Sequence, residues 1–529
     1  MSRRLYLTTP IYYASDAPHL GHAYTTVVAD ALVRYHRLCG RDARLLTGTD
    51  DHGQKIAAAA AQRSVSPQHY ADAIAESYRA CWRALGVSHD DFIRTTDADH
   101  EAVVRELWGR LVAGGWIELR PYTGWYCVPC EQFYPEKDLV RHRDEWLCPV
   151  HKQATERVEE DNYFFKLSAW QQPLLALYAR VLAKTRRSWV EPVERMNEVQ
   201  ATVRDGLADL SVSRTNTTWG VPVPGNSAHV VYVWLDALVN YYSATRRVSL
   251  TGFWDDDVEI IHLMGKEITR FHAVYWPAFL QAAGLRVPSK IVAHGWWTVN
   301  GEKMSKTRGN VVDPLALAAD IGADAFRYFI LREVPLGQDG DFSHTRLIQR
   351  YNAELANDLG NLVNRTIGMV EKYLPSGEVR CPADIPAEEG HTPATSDPEL
   401  LISIGESQVQ FARKMERFEL SEALDCVWEI VRMANRYIER AAPWKQSVAR
   451  QEVILWDALE TCRVLGHLLS PFMPERSAAL LRQIGRPETP YAAVFGDQQA
   501  PFTPAEATPL FPRIDEARKT ALLAKWIGA

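Results

Sequence analysis

The chain has 529 residues, 47% of them hydrophobic and 24% charged, with a formal net charge of −7. That length holds roughly three to four domains of ~150 residues, and the acidic balance excludes a protein that coats nucleic acid by bulk electrostatics, while permitting a local basic surface for one RNA partner. No apolar run reaches the ~18 residues of a membrane span, and Met1-Ser2-Arg3-Arg4-Leu5 enters a strand-like pattern directly instead of a secretory signal, so the cytoplasm is the expected compartment.

Leu5 to Tyr13 reads as a strand ending before Pro18. A helix follows to about Leu38, with Val28, Ala31, Leu32 and Tyr35 at the i, i+3, i+4, i+7 spacing of one apolar face, and Arg44 to Thr49 makes a second strand ending at Asp50. Strand, helix and strand imply a parallel sheet with ligands beyond the carboxyl ends of its strands, where Tyr13, His19, Asp50 and His52 are expected to gather. His19 and His22 fall at the positive end of the helix dipole, which suits polyphosphate; plain helix-capping is the competing reading. Asp50 can present a carboxylate to an ammonium group, or simply cap a turn.

From about Trp116 to Gly225 the pattern changes to that of an insertion. Cys127-Val128-Pro129-Cys130 and Cys148-Pro149-Val150-His151 are two short ligand pairs closing one loop, the spacing of a structural Cys3His zinc site. The other cysteines are scattered, as expected of thiols in a reducing compartment. Val230 to Val233, Val258 to Met264 and Lys290 to Ala293 are short β-rich runs expected to complete the parallel sheet, with a helical stretch near Ile268 to Ala283. Lys303-Met304-Ser305-Lys306-Thr307, flanked by Gly301 and Gly309, puts two ammonium groups on a flexible loop, fit for charge that develops in a transition state; solvated lysines are the alternative. After Gly337 strands are expected to vanish and helical periods to run to about Gln483, broken by a surface loop from Pro375 to Pro398. Arg432, Arg436 and Arg440 fall at i, i+4 spacing, which also fits a solvated face.

His19-Leu20-Gly21-His22, taken with Lys303 to Thr307, resembles the HIGH and KMSKS signatures of the class I aminoacyl-tRNA synthetases. Thr8 to Tyr13, Thr47 to Gly53, Tyr232 to Leu238 and Ala442-Pro443-Trp444 narrow the likeness to the bacterial methionyl-tRNA synthetases, over nearly the whole chain. The resemblance implies an α/β fold: a Rossmann-like parallel-sheet catalytic domain in two halves (1–116 and 226–336), a connective insertion (117–225) with one zinc knuckle at about 122–155, a stem-contact and all-α helical-bundle anticodon-binding domain (337–515) and a tail (516–529). It also implies ATP-dependent formation of methionyl adenylate, with Mg2+ accompanying ATP, and transfer to tRNA(Met), initiator tRNA included.

For the site, the resemblance implies catalytic roles for His19, His22, Lys303 and Lys306, with Lys306 neutralising the developing pyrophosphate. ATP contacts fall to His19, Gly21, His22, Gly265, Lys266, Glu267, His294 and Lys306. A methionine pocket is expected from Pro10, Ile11, Tyr13, Trp234, Ala237, Leu238, Tyr241, Ile268 and His272, with Asp50 on the ammonium; an unbranched, polarisable thioether fits such an aromatic slot. Asn361, Arg365 and Trp444 match the CAU-anticodon readers, and Cys127, Cys130, Cys148 and His151 the zinc ligands. The chain departs from the family pattern at Thr307, where Ser is usual, at Glu267, where Asp is usual, and at Asp51, where Glu is usual. Its end resembles the close of the family's catalytic and anticodon-binding core, so a monomer is expected. A synthetase for another aliphatic amino acid and a catalytically silent tRNA-binding duplicate are the competing readings.

Overall fold

A computed structural model of the chain describes residues 3–127, 132–134, 136–142, 145–150, 152–304, 310–386, 395–486 and 500–527. Cys130, His151 and Lys306 lie outside them. The chain forms two interleaved compact units, one of residues 1–18, 42–82 and 88–294, the other of residues 19–41, 83–87 and 295–529.

The first unit is built on β1 (Arg4–Tyr13), β2 (Asp42–Asp50), β3 (Asp91–Arg94), β4 (Val190–Glu191), β5 (Val258–Gly265) and β6 (Lys290–His294). They form one six-stranded parallel sheet in the order β3-β2-β1-β5-β6-β4. A parallel sheet buried on both faces needs continuous apolar runs, and Leu5, Tyr6, Leu7, Ile260, Ile261, Leu263, Met264, Ile291, Val292 and Ala293 are all at most 2% exposed. Gly48 is required where β2 meets β3, since a Cβ there would stand 1.9 Å from the Ile93 carbonyl oxygen. The expected insertion carries a long antiparallel pair, Ile117–Cys127 with Glu156–Phe165, yet also supplies β4 to the parallel sheet. Val230 to Val233 does not join that sheet. Asn226–Val231 pairs antiparallel with Ser213–Arg214 and Pro222–Val223 around Gly225 at φ 79°, a tight turn that cannot supply the long crossover a parallel neighbour needs.

Helix α1 (Leu20–Leu38) belongs to the second unit and α2 (Val233–Ser243) to the first. The second unit continues with α3 (Ala323–Arg332), α4 (Asn361–Tyr373), α5 (Pro398–Met415), α6 (Leu420–Ala441) and α7 (Val448–Leu469). Among the described residues one strand persists past Gly337: Gly340–Phe342 pairs in parallel with Trp297–Val299, which also pairs with Glu302–Lys303. Three residues are too few to show an alternation in sequence. The C-terminal tail is an α-helix, Glu516–Ile527, clasped at Asp320, whose carboxylate accepts from Lys525 Nζ at 2.7 Å and Trp526 Nε1 at 2.8 Å.

Within this unit Arg327 is fully buried and donates to Asp30 at 2.7 Å and to the carbonyls of Phe472, Pro471 and Leu85 at 2.9, 3.0 and 3.2 Å. The bond to Asp30 ties α1 to α3. Replacing Arg327 with Ala removes one of two cations on the fully buried Asp30 carboxylate, Arg34 Nε at 2.8 Å being the other, and takes the donor from three carbonyls, so the unfolding free energy is expected to fall by about 3 kcal/mol. Urea unfolding would show this as a lowered midpoint at unchanged m value.

Candidate active site

The sheet register brings Tyr13 beside Asp50 and Gly265 beside His294, all at the carboxyl edge of the first unit. In β1 the register slips between Thr8 and Ile11. Pro10 lies there and has no amide hydrogen to continue the ladder, so the strand bulges and re-aims Ile11 and Tyr13.

The turn after β2 is held at every residue. The Asp50 carbonyl accepts from the Ala14 amide at 2.9 Å, and the Asp50 side chain is only 7% exposed. Asp51 accepts from Arg94 Nε at 2.5 Å and Thr96 Oγ1 at 2.8 Å, so the side chain shorter than the family's usual Glu still reaches its cationic partner. Its carbonyl accepts from Trp219 Nε1 at 2.6 Å. His52 Nδ1 lies 2.7 Å from Asp236, whose other oxygen lies 3.0 Å from His100 Nε2. Burial alone would raise the Asp236 carboxyl, but the charge of His52 and the bonds from His100 and His52 outweigh it and hold it at about 2. Burial likewise opposes a proton on His52, and the Asp236 charge prevails, so its pKa is raised.

Helix α2 presents Trp234, Ala237, Leu238 and Tyr241 at i, i+3, i+4 and i+7, one face. Tyr241 Oη lies 2.7 Å from His272 Nε2, and His272 Nδ1 lies 2.9 Å from the Ile268 carbonyl. A carbonyl only accepts, so Nδ1 carries the hydrogen and Nε2 accepts from the tyrosine. Burial pushes His272 down to about 4, which keeps it neutral. His272 sits in a π-helical stretch, Phe271–Tyr275, of a kind frequent at functional sites, and Phe271 stacks on Trp234 at 3.7 Å. Ile11, Trp234 and Ile268 are partly buried against the core that contains Leu238 and Tyr241. His272 thus links Tyr241 to the Ile268 carbonyl, and Trp234 lies on the same face of α2 as Tyr241. At the end of β5, Glu267 folds back over Gly265, where a Cβ would stand 2.5 Å from its carboxylate.

In the second unit His19 and His22 do cap α1, and the capping has a chemical consequence. The Gly21 amide donates to His19 Nδ1 at 3.0 Å and the His19 amide to His22 Nδ1 at 3.2 Å, with the rings stacked at 3.8 Å. Each Nδ1 accepts, so each neutral ring carries its one hydrogen on Nε2. Gly21 makes this possible: a Cβ there would stand 2.9 Å from the His19 ring. The Leu20 amide donates to the Val312 carbonyl at 3.1 Å, tying the helix start to the segment that follows the Lys-Met-Ser-Lys-Thr sequence. Lys303 ends the strand Glu302–Lys303.

Cys127 and Cys148 are fully buried, and the Val150 amide donates to Cys148 Sγ at 3.4 Å. Among the described residues no three metal-ligating side chains gather. In the helical part, Asn361 and Arg365 line a groove of about 1030 Å³ with Arg432 and Arg436. Arg365 pairs with Glu439 and lies 5.6 Å above the ring of Trp444, itself 42% exposed.

Residues 5–157 and 144–367 match the family model for class I tRNA synthetases (M). Sheet, histidine pair and family model together define a class I aminoacyl-tRNA synthetase. Residues 385–522 match the anticodon binding domain of methionyl tRNA ligase. A methionine–tRNA ligase of Caldanaerobacter subterraneus subsp. tengcongensis is 42% identical over 99% of this chain and 81% of its own. That of Synechocystis sp. is 42% identical over 90% and 89%. The structure of Mycobacterium tuberculosis methionyl-tRNA synthetase in complex with methionyl-adenylate superposes with a TM-score of 0.89 at 40% identity, over 97% of this chain and 100% of that one. The chain belongs to the methionyl-tRNA synthetase family.

Proposed function

We propose that the protein activates L-methionine with ATP and charges tRNA(Met), initiator and elongator alike. The methionine carboxylate attacks the α-phosphorus and pyrophosphate leaves; the terminal ribose hydroxyl of the tRNA then takes the acyl group and AMP leaves. No side chain is acylated. The observation that carries the reading is the buried Tyr241–His272 pair at 2.7 Å, in the same unit as the buried Asp50. Asp50 holds the ammonium, and Pro10, Ile11, Tyr13, Trp234, Ala237, Leu238, Tyr241, Ile268 and His272 enclose the thioether chain. A neutral His272 avoids setting a charge against it.

Polyphosphate meets the Nε2 donors of His19 and His22 and the ammonium groups of Lys303 and Lys306, which stabilise charge that peaks in the transition state. Mg2+ enters with ATP as part of that substrate. Gly21, Gly265, Lys266, Glu267 and His294 hold ribose and adenine. Asn361 and Arg365 hydrogen-bond the edges of unstacked anticodon bases and Trp444 stacks on one. The enzyme works as a monomer in the cytoplasm; among the described residues no helix is long and apolar enough to cross a membrane.

The donor set at Cys127 and Cys148 fits zinc: both thiols are buried, and the Val150 amide donating to Cys148 Sγ is the kind of hydrogen bond a thiolate ligand accepts. Cys130 and His151 complete four ligands, which leaves no position for substrate and makes the metal structural. Metal analysis is expected to find one zinc per chain, lost in Cys148→Ser. Chelation should speed proteolysis between Cys127 and His151 before it alters cleavage elsewhere.

Pyrophosphate exchange across a panel of amino acids tests the whole proposal. Exchange with methionine above all others is expected. Exchange driven by another aliphatic amino acid, or none despite tRNA binding, would overturn it.

A further inference from the structure

Helix α2 has a second face that the proposed pocket leaves unused. Asp236, Asn240 and Ser243 recur at i, i+4 and i+7 as a buried polar stripe, opposite in character to the Trp234–Tyr241 face. Asp236 is fully buried and shared by two imidazoles, His52 Nδ1 at 2.7 Å and His100 Nε2 at 3.0 Å, and His100 Nδ1 lies 2.8 Å from Ser243 Oγ. His52 sits two residues beyond Asp50 in the turn after β2. Trp219 grips that turn as well: its ring meets His52 edge-on at 5.4 Å, its Nε1 donates to the Asp51 carbonyl, and its own carbonyl accepts from the Gly53 amide at 3.3 Å.

This bridge joins the turn that carries the ammonium anchor to the helix that walls the side-chain pocket. A buried carboxylate with two imidazole partners is costly to desolvate and adds little net stability, so its geometry is the more informative property. We infer that Asp236, acting through His52 and His100, is a positioning residue that fixes the span between the ammonium anchor Asp50 and the thioether-binding face of α2, and thereby sets the length of amino acid accepted. The inference rests on the proposed pocket.

The test is methionine-dependent pyrophosphate exchange, repeated with S-methylcysteine and homomethionine, which are one methylene shorter and longer. His52→Leu removes the Nδ1 donor, whereas His52→Asn keeps an N–H near the same place. His52→Leu is expected to raise the methionine KM about tenfold, leave the ATP KM unchanged and cut the preference for methionine over both homologues by about fivefold or more; His52→Asn should restore most of each. Ser243→Ala, which only loosens His100, should move the same preference in the same direction by a smaller factor and keeps the test open if His52→Leu does not fold. Unchanged length preference in a folded His52→Leu protein, or in Ser243→Ala where the first does not fold, would overturn the inference. Asp50→Ala separates the two levels. If it too leaves the methionine KM unchanged, the pocket reading fails with the inference; if it raises that KM while the His52 and Ser243 variants change nothing, only the inference fails.

Discussion

Single-turnover formation of methionyl adenylate is expected to fall by about 10²–10³-fold in His22→Ala, the loss typical of removing one placed donor to a charge that develops in the transition state. The methionine KM should not change, because His22 takes no part in the proposed amino-acid pocket. Loss of the return bond from the His19 amide costs about 1 kcal/mol, and the bond from the Gly21 amide to the His19 cap remains. His22→Gln separates cap from chemistry: glutamine at this third helical position can accept the His19 amide, as in a capping box, and still present N–H donors, so it should recover stability fully and rate in part. The pH profile is informative as well. Burial, reinforced by the neighbouring His19, holds His22 well below the usual histidine range. It therefore acts as a neutral N–H dipole, and the rate of the chemical step should show no titration of His22 near neutral pH. A wild-type rate in the alanine variant would remove the histidine pair from the mechanism.

The parts of this site that can be read in sequence are those where one residue does one local job. His19 and His22 announce themselves by standing at the start of an apolar-periodic helix, and Asp50 by ending a strand. What sequence could not show is that the two imidazoles cap the helix and have their tautomers fixed by backbone amides, so that the capping reading and the chemical one are the same arrangement. The Asp236–His52–His100 network is hidden for another reason. Its partners lie 184 and 136 residues apart, and the only local trace is a carboxylate inside the apolar run from Tyr232 to Leu238. Such a group needs a buried partner, but its identity is set by tertiary folding. Apart from Tyr13, which ends a strand, the pocket aromatics rest on family resemblance, because tryptophans and tyrosines near strand ends are core residues in most proteins. Val230 to Val233 misled because a short β-branched run looks alike in parallel and antiparallel sheets, and only the turn at Gly225 decides. The helical tail after Asp515 has good helix formers in Glu516 to Ile527, but its anchor at Asp320 is visible only in three dimensions.

Asp50→Asn should lower kcat/KM for methionine by about 10²–10³-fold, the loss expected when a buried charge-assisted bond worth 2–5 kcal/mol is replaced by a neutral one. Asparagine keeps the shape of the side chain, and the backbone is fixed independently through the Ala14 amide on the Asp50 carbonyl, so the fold and the ATP KM should be little altered. The assignment can be pressed further with the 2-hydroxy analogue of methionine, which carries a hydroxyl where the ammonium would be. If the Asp50 carboxylate meets that ammonium, the wild-type protein must discriminate strongly against the hydroxy analogue and Asp50→Asn weakly, because each change removes the same interaction and the two losses do not add. Equal discrimination in both proteins would mean that Asp50 affects catalysis without touching the amino group. The chemistry of the turn would then have to be sought in Asp51, which already has Arg94 as a partner, or in His52, which has Asp236. Both carboxylates of those pairs already face a cationic partner, Arg94 for Asp51 and His52 for Asp236, so a substrate ammonium there would have to displace it.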